Sequence, residues 1–332
     1  MLFRSKQQEL DELRIKREVM GTTAIEGNGA AIDELEHEGQ ISAENYGYKE
    51  IKEIENAREC LEYIRSDGIR QWKGEISEEL ICKLHALNVH GVEKQDVQPG
   101  KYRTYNVKVG HNDYGEKFEN IPSQMRDFVN WINGDEAKKL GNVIRAVVAH
   151  FYLVSIHPFG DGNGRTSRAL EAYLLACGDE NQRGFYTLAN FYYRHRKEYF
   201  EALHDARFKY KGDLNEFVRF ALVGYVQELE NNYKQAVAFI TKLAFLNYVE
   251  ELLSRGNINT RGYGLVSFLL YTEQEWKVQD ILQKKRVFAG IFGKVTERTI
   301  RRDIERLEKY HLVNITNGRI SADTSVMNQF TK

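Results

Sequence analysis

Only three prolines interrupt this chain of 332 residues. Proline inside a helix removes a hydrogen bond and clashes with the turn before it, so a chain that nearly avoids proline can run in long helices. The apolar residues agree. They recur every three or four positions in KEIKEIENARECLEYIR, EELICKLHALNVH and NVIRAVVAHFYLVSIH, with charges between, which is the period of an amphipathic helix. The spacing predicts a mainly α protein. One segment breaks the pattern. Pro99 and Gly100 open it, YRTYNVKVG alternates as a strand does, and HNDYGE is turn-rich before KFENIP. This predicts a β-hairpin over about residues 100–121 within a helical body.

Further along, AVAFITKLAFLNYVEELLSRG reads as a long helix and the turn-rich NINTRGYG follows it. The expected organisation is an N-terminal helical part over 1–98, a core over 99–250 and a small separate domain over 251–332. A net charge of −1 gives no global attraction to nucleic acid or to an anionic membrane. Three cysteines, Cys60, Cys82 and Cys177, form no CxxC pair and cannot complete a disulfide set, which suits reduced thiols. The start, MLFRSKQQELDELRIKREVM, is charged throughout and unlike a signal peptide. No stretch approaches the ~20 apolar residues of a membrane span. The expectation is a cytoplasmic protein with no membrane partner.

One segment concentrates chemistry: HPFGDGNGRTSR, residues 157–168, lies between an apolar helix ending at Ile156 and another, ALEAYLLACG. Gly160, Gly162 and Gly164 let the backbone bring its N–H groups close to a ligand. The loop runs into a helix N-terminus, whose free N–H groups and dipole favour an anion. Arg165 and Arg168 add two guanidinium groups suited to phosphate oxygens. The familiar nucleotide loops do not fit, since no Walker lysine follows Gly164 and the dinucleotide fingerprint lacks its strand and third glycine. An EF-hand needs more acidic ligands than Asp161. The residues suit a catalytic reading: His157 as proton acceptor, Asp161 as ligand to Mg²⁺, and Asn163 with the arginines as phosphate donors. The plainer alternative is a glycine-rich turn with surface arginines, but such a turn does not need histidine, acid, amide and two arginines together.

These residues resemble the signature of Fic-domain proteins, and all of its fixed positions are filled: His157, Phe159, Asp161, Gly162, Asn163, Gly164, Arg165 and Arg168. The resemblance covers roughly residues 20–220. It implies a Fic-type helical bundle with a β-hairpin flap, and a protein adenylyltransferase that moves AMP from ATP to a Ser, Thr or Tyr hydroxyl of a target protein. His157 would be the base. Asp161 would hold Mg²⁺ (or Mn²⁺). Gly162, Asn163 and Gly164 would cradle phosphate, Arg165 would take the β-phosphate and Arg168 the γ-phosphate. Phe159 would anchor the loop in the core.

Residues 22–27, TTAIEG, resemble the inhibitory motif of the same family, with Thr22, Glu26 and Gly27 at its fixed positions. The resemblance implies that Glu26 takes Arg168 in a two-pronged ion pair and so keeps it from ATP. The same carboxylate would alternatively orient water for removal of AMP. The flap, with Tyr105, Asn106, Val107, Lys108 and Val109, would present a strand edge to the target's main chain. Tyr199 is the candidate for stacking on adenine. At the end of the chain, WKVQDILQKK, VTERTIRRDIERLEKYHLV and NITNGRIS resemble a winged helix-turn-helix, with Thr296 capping the recognition helix. Arg298, Arg301, Arg302, Arg306 and Lys309 are opposed by Glu297, Asp303, Glu305 and Glu308, which weakens the field felt by phosphates. DNA and another protein both remain open as its partner, and a nucleotide-sensing DNA-binding regulator is the rival to the enzyme.

Overall fold

The computed structural model describes residues 2–37, 45–71, 73–94, 96–109, 113–114, 116–178, 187–272, 274–285 and 287–330. It is mainly helical and divides into two compact units, Met1–Glu230 and Asn231–Lys332. The division falls inside one helix, Asn215–Ser254. None of the described helices is long and apolar enough to cross a membrane.

The first unit contains α1 (Leu2–Ile25), α2 (Gly29–His37), α3 (Tyr48–Tyr63), α4 (Glu78–Val89), α5 (Ile121–Asn133), α6 (Asp135–Lys139), α7 (Asn142–Ile156), α8 (Asn163–Cys177), α9 (Ala189–Arg194), α10 (Arg196–His204) and the start of α11 (Asn215–Ser254). At its centre α7 and α8 pack together. α7 is apolar on most sides, as a helix must be when neighbours surround it, and α8 is so over its second half. Ala146, Val147, Ala149 and Leu153 of α7 meet a core that also holds Leu170, Leu174 and Leu175 of α8. Helix α4 starts at Ser77, whose hydroxyl accepts from the Leu80 N–H at 3.2 Å, and contributes Ile81 and Leu84 to the same core.

Pro158 sets where α7 stops. A residue before proline is pushed out of the right-handed helical region, and His157 turns left-handed at φ 55°. That reversal throws the chain into the tight loop leading to α8. Helix α1 packs against α9 so closely that a Cβ on Gly21 would lie 2.9 Å from the Asn190 backbone.

Residues 110–112 and 115 of the expected hairpin lie outside the described residues; among those described, β1 (Lys108–Val109) and β2 (Asp113–Tyr114) pair, antiparallel, with Lys108 opposite Tyr114 and Val109 opposite Asp113. Arg103 ties the segment before β1 to the fold. Its N–H donates to the Pro158 carbonyl at 2.9 Å, and its guanidinium serves the carbonyls of His157, Tyr105 and Glu116. Arg103 thus fastens the start of the flap to the loop and ties Tyr105 and Glu116 to each other.

In the second unit α12 (Thr260–Thr272), α13 (Val278–Leu282), α14 (Phe288–Phe292) and α15 (Glu297–Lys309) accompany a three-stranded antiparallel sheet. Its strands are β3 (Trp276–Lys277), β4 (Val313–Thr316) and β5 (Arg319–Ala322), in the order β3–β5–β4. The unit has its own core, including Phe245, Val249, Leu265, Leu269, Phe288, Ile300, Leu307 and Ile320. Thr296 caps α15, its hydroxyl accepting from Thr299 N–H. Asp303 does not act as a surface charge opposing the arginines of α15. It is buried, paired with Arg261 at 2.8 Å and with the Asn259 amide at 2.7 Å.

Because Gly21 meets backbone, Gly21→Ala must push α1 from α9. Overpacking of this kind costs about 1–3 kcal/mol. Calorimetry should show the unfolding midpoint lowered by several degrees, whereas an unchanged midpoint would mean that α1 yields freely.

Candidate active site

The loop after α7 is built from its own backbone. The Asn163 side chain closes it: Phe159 N–H donates to Oδ1 at 2.9 Å, and Nδ2 donates to the Phe159 carbonyl at 2.8 Å. The oxygen and one N–H of the amide are thereby used, so Asn163 fastens the loop, and its second Nδ2 proton is not engaged by these bonds. Phe159 is fully buried, as expected, and stacks on His85 with ring centres 3.8 Å apart.

His85 was missed in the sequence. Its signal was a histidine at a core position of the apolar stripe in EELICKLHALNVH. Gly100 N–H donates to His85 Nδ1 at 2.9 Å, so the ring proton sits on Nε2, which donates to the Asp161 carbonyl at 3.1 Å. Burial pushes His85 down to about 4 and so favours this neutral form. Gly162 opens α8 at φ 72°, where a Cβ would strike Val89 at 2.5 Å. The first turn of α8 leaves the N–H groups of Asn163, Gly164 and Arg165 without helical partners.

His157 lies at the loop's entrance. Its Nδ1 faces the Val154 carbonyl at 3.1 Å, which places the ring proton there and leaves the Nε2 lone pair free. Its own carbonyl accepts from Arg103 Nε at 2.8 Å. Arg103 too went unnoticed in the sequence, where it reads as one more strand residue. Burial, with the Arg103 charge beside it, holds His157 down to about 4 against the Val154 bond. It is a neutral base at pH 7, and a weaker one than free imidazole.

Asp161 Oδ1 pairs with Lys94 at 2.8 Å, and Arg165 stands 3.9 Å from Oδ2. Burial raises this carboxyl, but Lys94 and Arg165 outweigh it and hold it below its usual range. Among the described residues no three His, Cys, Asp or Glu side chains gather as a metal cluster. Arg165 is buried. It donates to the Asn88 carbonyl at 3.2 Å and lies 3.6 Å from Glu53, whose other oxygen accepts from Asn28 at 3.0 Å.

Glu26 follows the end of α1, where Arg196 Nε donates to the Ile25 carbonyl at 2.9 Å. Its Oε1 accepts from Arg168 Nη2 at 2.6 Å. The pairing is single-pronged rather than the two-pronged contact expected, because Arg168 divides its donors. Its Nε goes to the Thr22 hydroxyl and Nη2 also to the Thr22 carbonyl, both at 2.9 Å. The Glu26 side chain is 39% exposed and that of Arg168 only 3%. Burial pushes the Glu26 carboxyl up, but Arg168 and then Arg165 win and hold it low. Gly164 makes room for the contact: a Cβ there would lie 2.3 Å from Glu26 Oε1.

Tyr199 does not offer a ring to a nucleotide. It is 1% exposed, stacks on Tyr192 with centres 4.6 Å apart, and bonds His150 through its hydroxyl. The expectation of an adenine contact mistook a core aromatic at helical spacing for a platform. In the flap, the Tyr105 hydroxyl lies against Gly160, 2.2 Å from where a Cβ would stand, and Asn106 Oδ1 accepts from Phe118 N–H at 3.1 Å. Val107 is half-buried and Lys108 exposed.

With this geometry in hand, residues 75–175 match the family model described as Fic/DOC family. Over that span the chain is similar to a Fic domain. "Protein adenylyltransferase fic-1" of Caenorhabditis briggsae is 30% identical over 209 residues, which is 61% of this chain and 38% of that protein. "Protein adenylyltransferase Fic" of Drosophila grimshawi is 31% identical over 202 residues, 60% of this chain and 39% of that protein. The matched part spans less than half the length of these curated relatives. The solved Fic-1 of Caenorhabditis elegans shares the fold at 23% identity and a TM-score of 0.53, over 70% of this chain and 72% of that one. A Fic family protein from Desulfovibrio desulfuricans does so at 17% identity and 0.56, over 95% and 89%. The matched span includes α4, α5, α7 and nearly all of α8, while Glu26 and its helix lie before the matched residues.

The depressed histidines can be watched directly. Each stays neutral until the pH falls through its folded value, so the ring resonances of His85 and His157 should hold their neutral shifts from pH 8 to about 5. Titration of His157 near ~6.5, the unperturbed value, would show that its ring is open to water.

Proposed function

We propose that the chain is a protein adenylyltransferase that moves AMP from ATP to a Ser, Thr or Tyr hydroxyl of a target protein, and that Glu26 restrains it. The observation that carries this reading is the Arg168–Glu26 pair at 2.6 Å, with the carboxylate seated against Gly164 in the first turn of α8. A helix N-terminus with free N–H groups and a buried guanidinium is a site for an anionic ligand. A carboxylate of the chain itself occupies it. The relatives named protein adenylyltransferase, matched over about 60% of this chain, supply the reaction.

The steps follow from the side chains. With Glu26 displaced, the α8 N–H groups and Arg165 would hold the inner phosphates and Arg168 the terminal one. His157 Nε2, its lone pair fixed by the Nδ1 contact, would take the proton of the target hydroxyl. The oxygen would attack the α-phosphorus. One O–P bond forms as the bond to the bridging β-oxygen breaks, pyrophosphate leaves, and the proton stays on His157. The low basicity of His157 matches a transfer in which the attacking oxygen keeps its proton until bond formation is under way. A divalent cation, Mg²⁺ or Mn²⁺, fits the donor set. Asp161 is one carboxylate at the loop, and such ions take a carboxylate or two beside phosphate and water. When bound, the ion would offset charge on the leaving pyrophosphate. Lys94 must release Asp161 for this.

We read the flap as the place where a target segment lies, since β1 has an edge for main-chain pairing. We read the second unit as a winged helix. The β3–β5–β4 order, the capped α15 and the tight turn at Asn317 and Gly318, both at positive φ, support that. Arg301 of α15 is already paired with Glu297 at 2.6 Å, which favours a protein over DNA as its partner.

Glu26→Gly should raise AMP transfer and productive ATP binding ten-fold or more, since a charge-assisted hydrogen bond contributes roughly 1.5–3 kcal/mol. Labelled ATP with wild type and Glu26→Gly measures transfer, and release of AMP from the labelled product measures removal. If Glu26→Gly abolishes removal without raising transfer, the half-exposed carboxylate serves hydrolysis instead. Equal rates for both proteins in both assays would retire Glu26 as a controlling residue. His157→Ala should lose about 10²–10⁴ in transfer rate while still binding ATP. A near wild-type rate would contradict its role as base.

A further inference from the structure

Within the first unit, α11 buries one face and leaves the opposite one bare. Phe217, Ala221 and Tyr225 point into the core. Val223 and Val226 lie on the other side of the helix and are 50% and 53% exposed. They belong to an open groove lined wholly by α11, which also takes in Arg219, Leu222, Gln227 and Glu230. Apolar residues gathered on one exposed face and rimmed by charge mark a contact surface.

The spacing says what kind of contact. Arg219, Val223, Val226 and Glu230 follow one another at four, three and four residues, the alternation that forms the seam of two paired helices. The charges choose the direction. Arg219 stands four residues before Val223, and Glu230 four residues after Val226, so the two charges are placed evenly about the valines. Parallel pairing of two such helices would set arginine against arginine and glutamate against glutamate. Antiparallel pairing sets each arginine against a glutamate and each Val223 against a Val226. Both charged residues are exposed, and Arg219 pairs with Glu216 one turn back on the same helix. An exposed pair of that kind contributes little and does not hold Arg219 from another carboxylate.

We propose that this face of α11 is a contact between two copies of the chain, joined antiparallel about a two-fold axis level with the middle of the Val223–Val226 pair. A two-fold contact uses the same patch on both copies, so every pair of residues occurs twice. The face meets that demand by itself. Two Val223–Val226 contacts fill the centre, and an Arg219–Glu230 ion pair closes each end. A partner of different sequence would need a base and an acid at the same spacing in reverse, and a second copy carries them already. The valines exclude water beside the ion pairs, and the ion pairs fix direction and register more than they add affinity. The contact is independent of the reaction proposed above.

Sedimentation of the full chain over a concentration series tests this and should show twice the mass of one copy. Arg219→Glu and Glu230→Arg should each lose the dimer, because each sets like charges against one another at both ends. Mixed in equal amounts, the two variants should recover it, since both ends of the mixed pair then join opposite charges. Val226→Glu, which puts a charge at the centre, should lose the dimer as well. If one charge variant does not fold, the double variant Arg219→Glu with Glu230→Arg restores both pairs within one sequence and should dimerise as wild type does. A wild-type chain that stays single at every concentration would overturn the proposal. So would a dimer that survives all the single substitutions, which would lie on another face, and so would a mixture that does not recover it.

Discussion

The structure depends on one buried positive charge. Arg168 sits in α8 with its side chain almost wholly out of water. A charge so placed is tolerated only where it is paired and hydrogen-bonded on all sides. Its partners come from far away in the chain, Thr22 and Glu26 at the end of α1. The N-terminal helix is thereby tied to the centre of the fold by an ion pair as well as by packing. On the proposed reading, that tie is what ATP must compete with. Restraint of the enzyme and satisfaction of a core charge are then one interaction, which explains how a segment outside the matched family residues belongs to the site.

What was legible in the sequence follows from how local the physics is. The loop 157–168 was readable because its work is done by backbone. Glycines, a proline and a helix start fix its shape within twelve residues, and no distant contact is needed to predict a helix N-terminus there. Glu26 was readable only as a partner of Arg168, since by itself an acid after a helix carries little. The misreadings were of side chains whose roles are set by tertiary neighbours. The part that Asn163 plays in holding the loop was invisible in the sequence, since only its two bonds to Phe159 reveal it. A tyrosine at helical spacing is able to face solvent or core, and Tyr199 faces the core. Arg103 likewise takes its role from tertiary neighbours: within the alternating YRTYNVKVG it is the residue tied to the carbonyls of Pro158 and His157.

The C-terminal unit shows a similar limit in charge counting. Asp303 looks in sequence like one of four acids diluting a basic helix. In the structure it is an interior partner of Arg261 and Asn259, fixing α15 against the start of α12. Its charge is neutralised inside, so it neither repels nor attracts a partner at the surface. Charges on a helix face are additive only when all of them are on the face.

Gly164 stands where Glu26, Arg168 and the first turn of α8 meet. A Cβ at that position would stand 2.3 Å from Glu26 Oε1 and 3.2 Å from Arg168 Nη1. The missing side chain opens the space in which a carboxylate meets both the arginine and the first turn of α8. On the proposed reading a phosphate would need that space for the same reason, since its oxygens seek the same N–H groups and the same guanidinium. Inhibitor and substrate thus call for one identical absence of atoms. A side chain at residue 164 would remove the seat of both, so the restraint cannot be lifted from the arginine side without harming the site. It is lifted only from the side of Glu26, the one partner in the contact that the loop does not itself supply.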